Sequence, residues 1–191
     1  MVWLVCIALA EELPEPLPQG YRKVITGVGK VNAAMALSRM LVSNESIEGV
    51  INYGTAGGFE RQHKGQLLSV ASVLERDMDC TGLGLAPYMT FGETAALIHT
   101  NNGQGVICGT GDSFGPAAAD YDIVEMEAYA LAKVCQAFKQ PFYCYKYVSD
   151  ISTDADAHQQ WQANVARGAR AFLQRLNKLS QQLLQQDNRD S

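Results

Sequence analysis

Short, unbroken apolar runs alternate along this chain with stretches in which apolar residues recur every three or four positions. Val2 to Leu9 is the first such run, rich in β-branched and aromatic residues, and its pattern predicts a central, doubly buried strand. Glu11 to Gln19 is rich in proline and glutamate and reads as a loop. Lys23 to Thr26 reads as a second brief strand. A helix is expected over Val31 to Val42, where Ala33, Ala34, Leu37, Met40 and Leu41 share one face. Ile47 to Tyr53 is another buried-type strand, closed by a glycine turn, Gly54 to Gly58.

Leu67 to Leu74 and Val106 to Cys108 read as strands, and Thr81 to Gly105 between them reads as a long functional loop. Ile123 to Phe138 is read as one helix, with Met126, Tyr129, Ala130, Val134 and Ala137 at helical spacing. Phe142 to Val148 predicts a strand ending in Ser149 and Asp150. A final helix is expected over Ala157 to Gln186. Its stripe is Trp161, Val165, Ala169, Phe172, Leu176, Leu179 and Leu183, with Thr153 or Asp154 as its cap. The polar tail is set from Asp187 onward.

Strands alternating with helices imply crossover connections. The expected fold class is α/β: a single domain over residues 1–186, in three α/β/α layers around a mixed, mainly parallel twisted sheet. In such sheets ligands sit beyond the carboxyl ends of the strands. That rule selects Glu11 and Glu12, Gly54 to Gly58, Gly109 to Gly115, and Ser149 with Asp150 as parts of one site.

Composition narrows the partners. With 47% hydrophobic and 18% charged residues the chain is ordinary globular protein, which excludes disorder. The net charge of −5, with no basic stripe, argues against nucleic acid and favours a small neutral or cationic substrate. The five cysteines show no CxxC spacing, so neither a disulfide framework nor a zinc site is expected, and a reducing, cytoplasmic setting fits. The opening MVWLVCIALA lacks a basic residue before its apolar run and is read as a strand, not a signal peptide. No segment approaches the roughly 20 apolar residues of a membrane helix.

Carboxylates are the candidate chemistry. Glu12 follows the first strand, Glu125 and Glu127 flank Met126, and Asp150 ends the last strand. Strand order would bring three of them to one sheet edge, where clustered acids split into different protonation states. Gly27-Val-Gly-Lys30 lacks the spacing of a phosphate loop and is read as a tight strand-to-helix turn.

Five strings in order, Val28 to Ala34 (VGKVNAA), Asn52 to Gly58 (NYGTAGG), Gly111 to Phe114 (GDSF), Val124 to Ala128 (VEMEA) and Val148 to Asp150 (VSD), resemble the motifs of the purine nucleoside phosphorylase and nucleosidase family, most nearly its methylthioadenosine/S-adenosylhomocysteine nucleosidases. The resemblance implies a nucleoside phosphorylase-like fold, hydrolysis of an N-glycosidic bond, a homodimer and no cofactor. It also implies Asp150 as general acid on the purine, Glu12 holding water, Glu127 on the ribose hydroxyls, Met126 against the sugar and Phe114 stacked on the base. Thr55, Ala56, Gly57, Gly115, Glu125 and Ser149 would line the pocket. Lys146 stands where those nucleosidases carry an arginine near the water, and the segment from Pro14 to Lys23 is short. Arg76 to Asp79 falls in the stretch that closes the 5′ end of the nucleoside. His63, His99 and His158 are read as surface or loop residues.

The chemistry suits these residue types. Breaking a ribose–purine bond develops positive charge on the sugar and negative charge on the base, which carboxylates and a carboxylic acid respectively relieve. The acidic Glu11-Glu12 stretch would repel phosphate, which favours water as acceptor over a phosphorylase. A purine nucleoside phosphorylase or a hydrolase of another purine nucleoside such as futalosine, and a non-catalytic nucleoside-binding module, are the rival readings.

Overall fold

The computed structural model describes residues 2–43, 46–114 and 120–187. The first run forms β1 (Val2–Ile7). Its period-two alternation serves two cores at once: Leu4 and Cys6 face one, Val5 and Ile7 the other. That is the behaviour of a strand covered on both sides. Beside it lie β2 (Tyr21–Ile25) and β3 (Ile47–Gly58), both parallel to it. The connection from β2 to β3 is α1 (Lys30–Leu41).

The remaining strands are β4 (Leu67–Glu75), β5 (Ile98–His99), β6 (Val106–Thr110), β7 (Ile123–Glu125) and β8 (Phe142–Ile151). Parallel pairs β3–β8, β4–β6 and β6–β7 join antiparallel pairs β3–β7, β4–β8 and β4–β5. The sheet is therefore mixed and mainly parallel, as expected. It also rolls up: β3, β8, β4, β6 and β7 form a continuous ring, so several strand ends face one mouth.

One face of the sheet is covered by α1 together with α2 (Ala128–Phe138), through Ala33, Leu37, Leu131 and Cys135. The other is covered by α4 (Ala169–Asp187), through Phe172, Leu176 and Leu179 packed on Tyr53 and Tyr145. Burying each of these large apolar side chains contributes about 1.5–3 kcal/mol. No helix among the described residues is long and apolar enough to cross a membrane.

Five features differ from the sequence reading. The glycine segment 54–58 is not a turn but the end of β3, because β8 runs beside it from Val50↔Phe142 to Gly58↔Ile151. Residues 123–138 are not one helix: Ile123 to Glu125 pair with β6, and the helix starts only at Ala128. The final helix is also interrupted, into α3 (Ala157–Asn164) and α4, with Gly168 just before the restart. A β-carbon at Gly168 would lie 2.4 Å from Tyr147 Cγ and 2.6 Å from Tyr53 Oη, so the chain passes too close to the sheet for any side chain there. Neither Thr153 nor Asp154 caps α3, whose N-cap is Asp156; Asp154 instead accepts hydrogen bonds from Arg61 and Gln160. Helix α4 also includes Asp187, so of the predicted tail only 188–191 lie beyond it, outside the described residues.

Gly168→Ala is accordingly expected to destabilise the fold by about 1–3 kcal/mol, the usual cost of overpacking. Urea unfolding monitored by circular dichroism measures this; an unchanged midpoint would contradict the close approach.

Candidate active site

The mouth of the rolled sheet holds a cavity of about 210 Å³. Three buried acids from distant stretches, Glu12, Glu127 and Asp150, lie on its wall. Each is placed by a different local device.

Glu12 ends a single 3-10 turn, Ala10–Glu12, directly after β1. Its Oε2 accepts the backbone N–H groups of Ala8 and Leu9 at 3.0 and 3.2 Å. Its Oε1 accepts the Thr55 N–H at 2.8 Å and the Thr55 hydroxyl at 3.0 Å. Four donors hold one carboxylate in one orientation.

Glu125 ends β7 and is fully engaged. It pairs with the buried Lys146 ammonium at 2.8 Å, accepts the Thr110 hydroxyl at 2.5 Å, and accepts the N–H groups of Glu127 and Ala128 at 2.9 and 2.8 Å. Burial opposes its charge, but Lys146 beside it holds its carboxyl below the ordinary range. Those backbone contacts cap the start of α2 with a carboxylate, which stops β7 and turns the chain at Met126 and Glu127. Glu127 then accepts the Gly29 N–H at 2.8 Å. Burial, reinforced by the nearby Glu125 charge and opposed by Lys146, pushes its proton affinity up to about 8.

Asp150 lies opposite Gly57 in the β3–β8 register. A β-carbon at Gly57 would stand 2.0 Å from Ser152 Oγ and 3.0 Å from Asp150 Oδ2, so glycine makes room for the acid. Ser149 Oγ donates to Oδ1 at 2.6 Å, while Oδ2 is buried without a partner among the described residues. Burial raises the proton affinity of Asp150 despite the Ser149 bond.

The other expected residues divide. Thr55, Ala56, Gly57, Phe114, Glu125 and Met126 line the cavity. Ser149 and Lys146 do not; both are buried behind it, Ser149 against Asp150 and Lys146 against Glu125. Gly115 lies outside the described residues. Two ring-bearing lining residues were missed, as were Ala8, Leu9, Val28, Ser113, Val124 and Ser152. His158, read as a surface or loop residue and indeed exposed, also lies on the cavity wall with its ring edge-on to Phe114 at 6.2 Å. Trp161, read only as part of an apolar stripe, also lines it. Their signal was position: α3 follows β8 at the carboxyl edge of the sheet. Arg76 lines the cavity too, over the backbone of Gly111, with its guanidinium bonded to Ser113.

The loop bearing Phe114 is fixed from outside. Lys30 Nζ pairs with Glu75 at 2.7 Å and Asp77 at 2.6 Å, its backbone N–H donates to Asp112 Oδ1 at 2.8 Å, and the Asp112 N–H donates to Asp77 Oδ2 at 2.9 Å. The Gly27–Lys30 turn is thus a clamp on the sheet edge, in keeping with its reading as a tight turn and not as a phosphate loop.

A rolled, mainly parallel sheet between helical layers, with buried acids at its mouth, defines an α/β protein built on the nucleoside phosphorylase plan. The chain belongs to the phosphorylase superfamily, whose family model matches residues 22–184. Among curated relatives, a 5′-methylthioadenosine/S-adenosylhomocysteine nucleosidase of Anoxybacillus flavithermus is 36% identical over 156 aligned positions, covering 66% of this chain and 66% of that one. The like-named protein of Bacillus cereus is 34% identical over 170 positions, covering 74% and 73%. The chain thus spans about two thirds of the length of the first curated relatives it matches. Among solved structures, the Streptococcus pneumoniae MTA/SAH nucleosidase in complex with 8-aminoadenine superposes with a TM-score of 0.78 at 21% identity, covering 92% of this chain and 97% of that one. Native futalosine hydrolase of Helicobacter pylori superposes with a TM-score of 0.80 at 19% identity, covering 94% and 97%. At these identities the structural likeness speaks for the fold.

The raised proton affinity of Glu127 fixes the sign of a pH effect. From its ordinary 4.5 to about 8 the folded protein holds a proton that the unfolded chain has released. The stability this contributes is therefore complete below 4.5 and is lost as pH rises through about 8. The prediction is that wild type loses thermal stability relative to Glu127→Gln across that window, and parallel melting curves would contradict it.

Proposed function

We propose that this chain is a purine nucleosidase that hydrolyses the N-glycosidic bond of an adenine nucleoside, with 5′-methylthioadenosine or S-adenosylhomocysteine as substrate. The observation that carries the reading is Asp150: an acid whose burial favours the protonated form, with one oxygen tied to Ser149 and the other buried and unpartnered, on the wall of a cavity shared with Glu12 and Glu127.

Asp150 donates its proton to N7 of the purine as the bond from C1′ to N9 breaks, and the bonding electrons leave with the base. The sugar becomes oxocarbenium-like, and the Glu12 carboxylate relieves its positive charge. Glu12, saturated with donors on its protein side, holds the water that attacks C1′ and takes up the proton that water sheds. Glu127 receives the ribose hydroxyls, Met126 lies against the sugar, and Phe114 offers a face to the planar base. Lys146 contributes no free charge to an incoming anion, because Glu125 neutralises it. That, with the acids on the wall, supports water over phosphate as acceptor. The family resemblance of its motifs suggests a homodimer as the working unit, and its cysteine usage suits a cytoplasmic setting.

The test is purine release from methylthioadenosine, S-adenosylhomocysteine and futalosine, with and without phosphate. Adenine is expected from one or both of the first two in phosphate-free buffer, and absolute dependence on phosphate would overturn hydrolysis. Asp150→Asn is expected to lower kcat about 10²–10⁴-fold, the usual contribution of a positioned acid, while adenine still binds.

A further inference from the structure

The indole N–H of Trp161 donates to Thr55 Oγ1 at 3.0 Å. The same hydroxyl oxygen lies 3.0 Å from Glu12 Oε1. An indole N–H can only donate and an ionised carboxylate can only accept, whereas a hydroxyl does each. The bond from Trp161 occupies a lone pair of Thr55 Oγ1 and leaves the single hydroxyl proton for Glu12. The chain of bonds therefore has one direction, from Trp161 through Thr55 to Glu12.

We propose that Trp161 is a positioning residue for Glu12, acting through the Thr55 hydroxyl. Without the indole, the hydroxyl is free to turn to another acceptor, and Glu12 Oε1 keeps only the Thr55 N–H. On the proposed reading, on which this inference rests, Glu12 aims the attacking water, and a carboxylate with one donor fewer aims it less sharply. Trp161 has a second contact that gives the arrangement its sense. Its ring is tilted against His158 at 5.9 Å, and His158 meets Phe114 edge-on at 6.2 Å. All three rings are on the cavity wall. The side chain that directs the Thr55 proton thus belongs to the wall against which the base would lie, which couples placement of the purine to placement of the water. No motif of the sequence contains Trp161; the relation exists only in the folded chain.

The experiment compares Trp161→Phe, Thr55→Val, Thr55→Ser and the double Trp161→Phe/Thr55→Val variant by kcat and KM for adenine release from methylthioadenosine. Phenylalanine keeps an aromatic ring and removes only the N–H donor. Trp161→Phe and Thr55→Val are each expected to lower kcat about 10-fold, the equivalent of one hydrogen bond of about 1.4 kcal/mol, with KM changed less than about 2-fold. Thr55→Ser, which keeps the hydroxyl, is expected to stay within about 2-fold of wild-type kcat. The double variant is expected to fall no further than the single ones, since both act on one bond. A wild-type kcat for Trp161→Phe, additive losses of about 100-fold in the double variant, or a change confined to KM would each overturn the inference. If Trp161→Phe does not fold, equal kcat for Thr55→Val and Thr55→Ser overturns it and a 10-fold gap supports it. A wild-type protein that releases no purine overturns the nucleosidase reading and this inference with it, whereas an active wild type with an indifferent Trp161→Phe overturns this inference alone.

Discussion

The pair between Glu125 and Lys146 is what the geometry of the cavity depends on. Both side chains are almost completely shielded from water, and at 2.8 Å they neutralise each other inside the sheet. Removing one partner of such a pair would leave an uncompensated buried charge, which typically costs about 3–5 kcal/mol. The pair is not isolated: Thr110 and the first N–H groups of α2 close around the same carboxylate. One charged group thus ends β7, starts α2 and sets the turn carrying Met126 and Glu127. Its negative charge also helps burial keep a proton on Glu127, so shape and protonation at the cavity share one cause.

Around that fixed corner, three acids sit in three environments. Glu12 has a full set of donors, Glu127 has one backbone donor and an anionic neighbour, and Asp150 has one serine and an oxygen with nothing to bind. Acids in unlike environments separate into unlike protonation states, which is how one cavity supplies both a proton donor and carboxylates. On the proposed reading, that separation divides the labour between base and sugar. The glycine opposite Asp150 and the rolled sheet are the means by which residues far apart in sequence reach one mouth.

Much of this was legible in the sequence because parallel strands buried on both faces leave unbroken apolar runs. The α/β class and the positions of β1, β4 and β8 follow from those runs, and the rule that ligands sit at strand ends selects residues 12 and 150, while Glu127 was picked out by the motif that contains it. What was not legible depended on tertiary contact. Gly54 to Gly58 has turn composition, yet β8 beside it makes it strand. Ile123 to Glu125 shares helical spacing with α2, but pairing with β6 overrides that pattern. The break at Gly168 reflects the closeness of Tyr147 and Tyr53, which no local signal encodes. Lys146 was singled out from the sequence, but only the fold shows that its charge is spent on Glu125. His158 and Trp161 carried no motif, and reach the cavity because α3 begins where β8 ends.

On the proposed reading, Glu12, Glu127 and Asp150 surround a single sugar–base linkage. A crystal structure of the wild-type protein with an unreactive methylthioadenosine analogue tests it most directly. Asp150 Oδ2 is expected within hydrogen-bonding distance of the purine N7 position, Glu127 on the ribose hydroxyls, and a water between Glu12 and C1′. An analogue bound with its base away from Asp150, or outside this cavity, would contradict it.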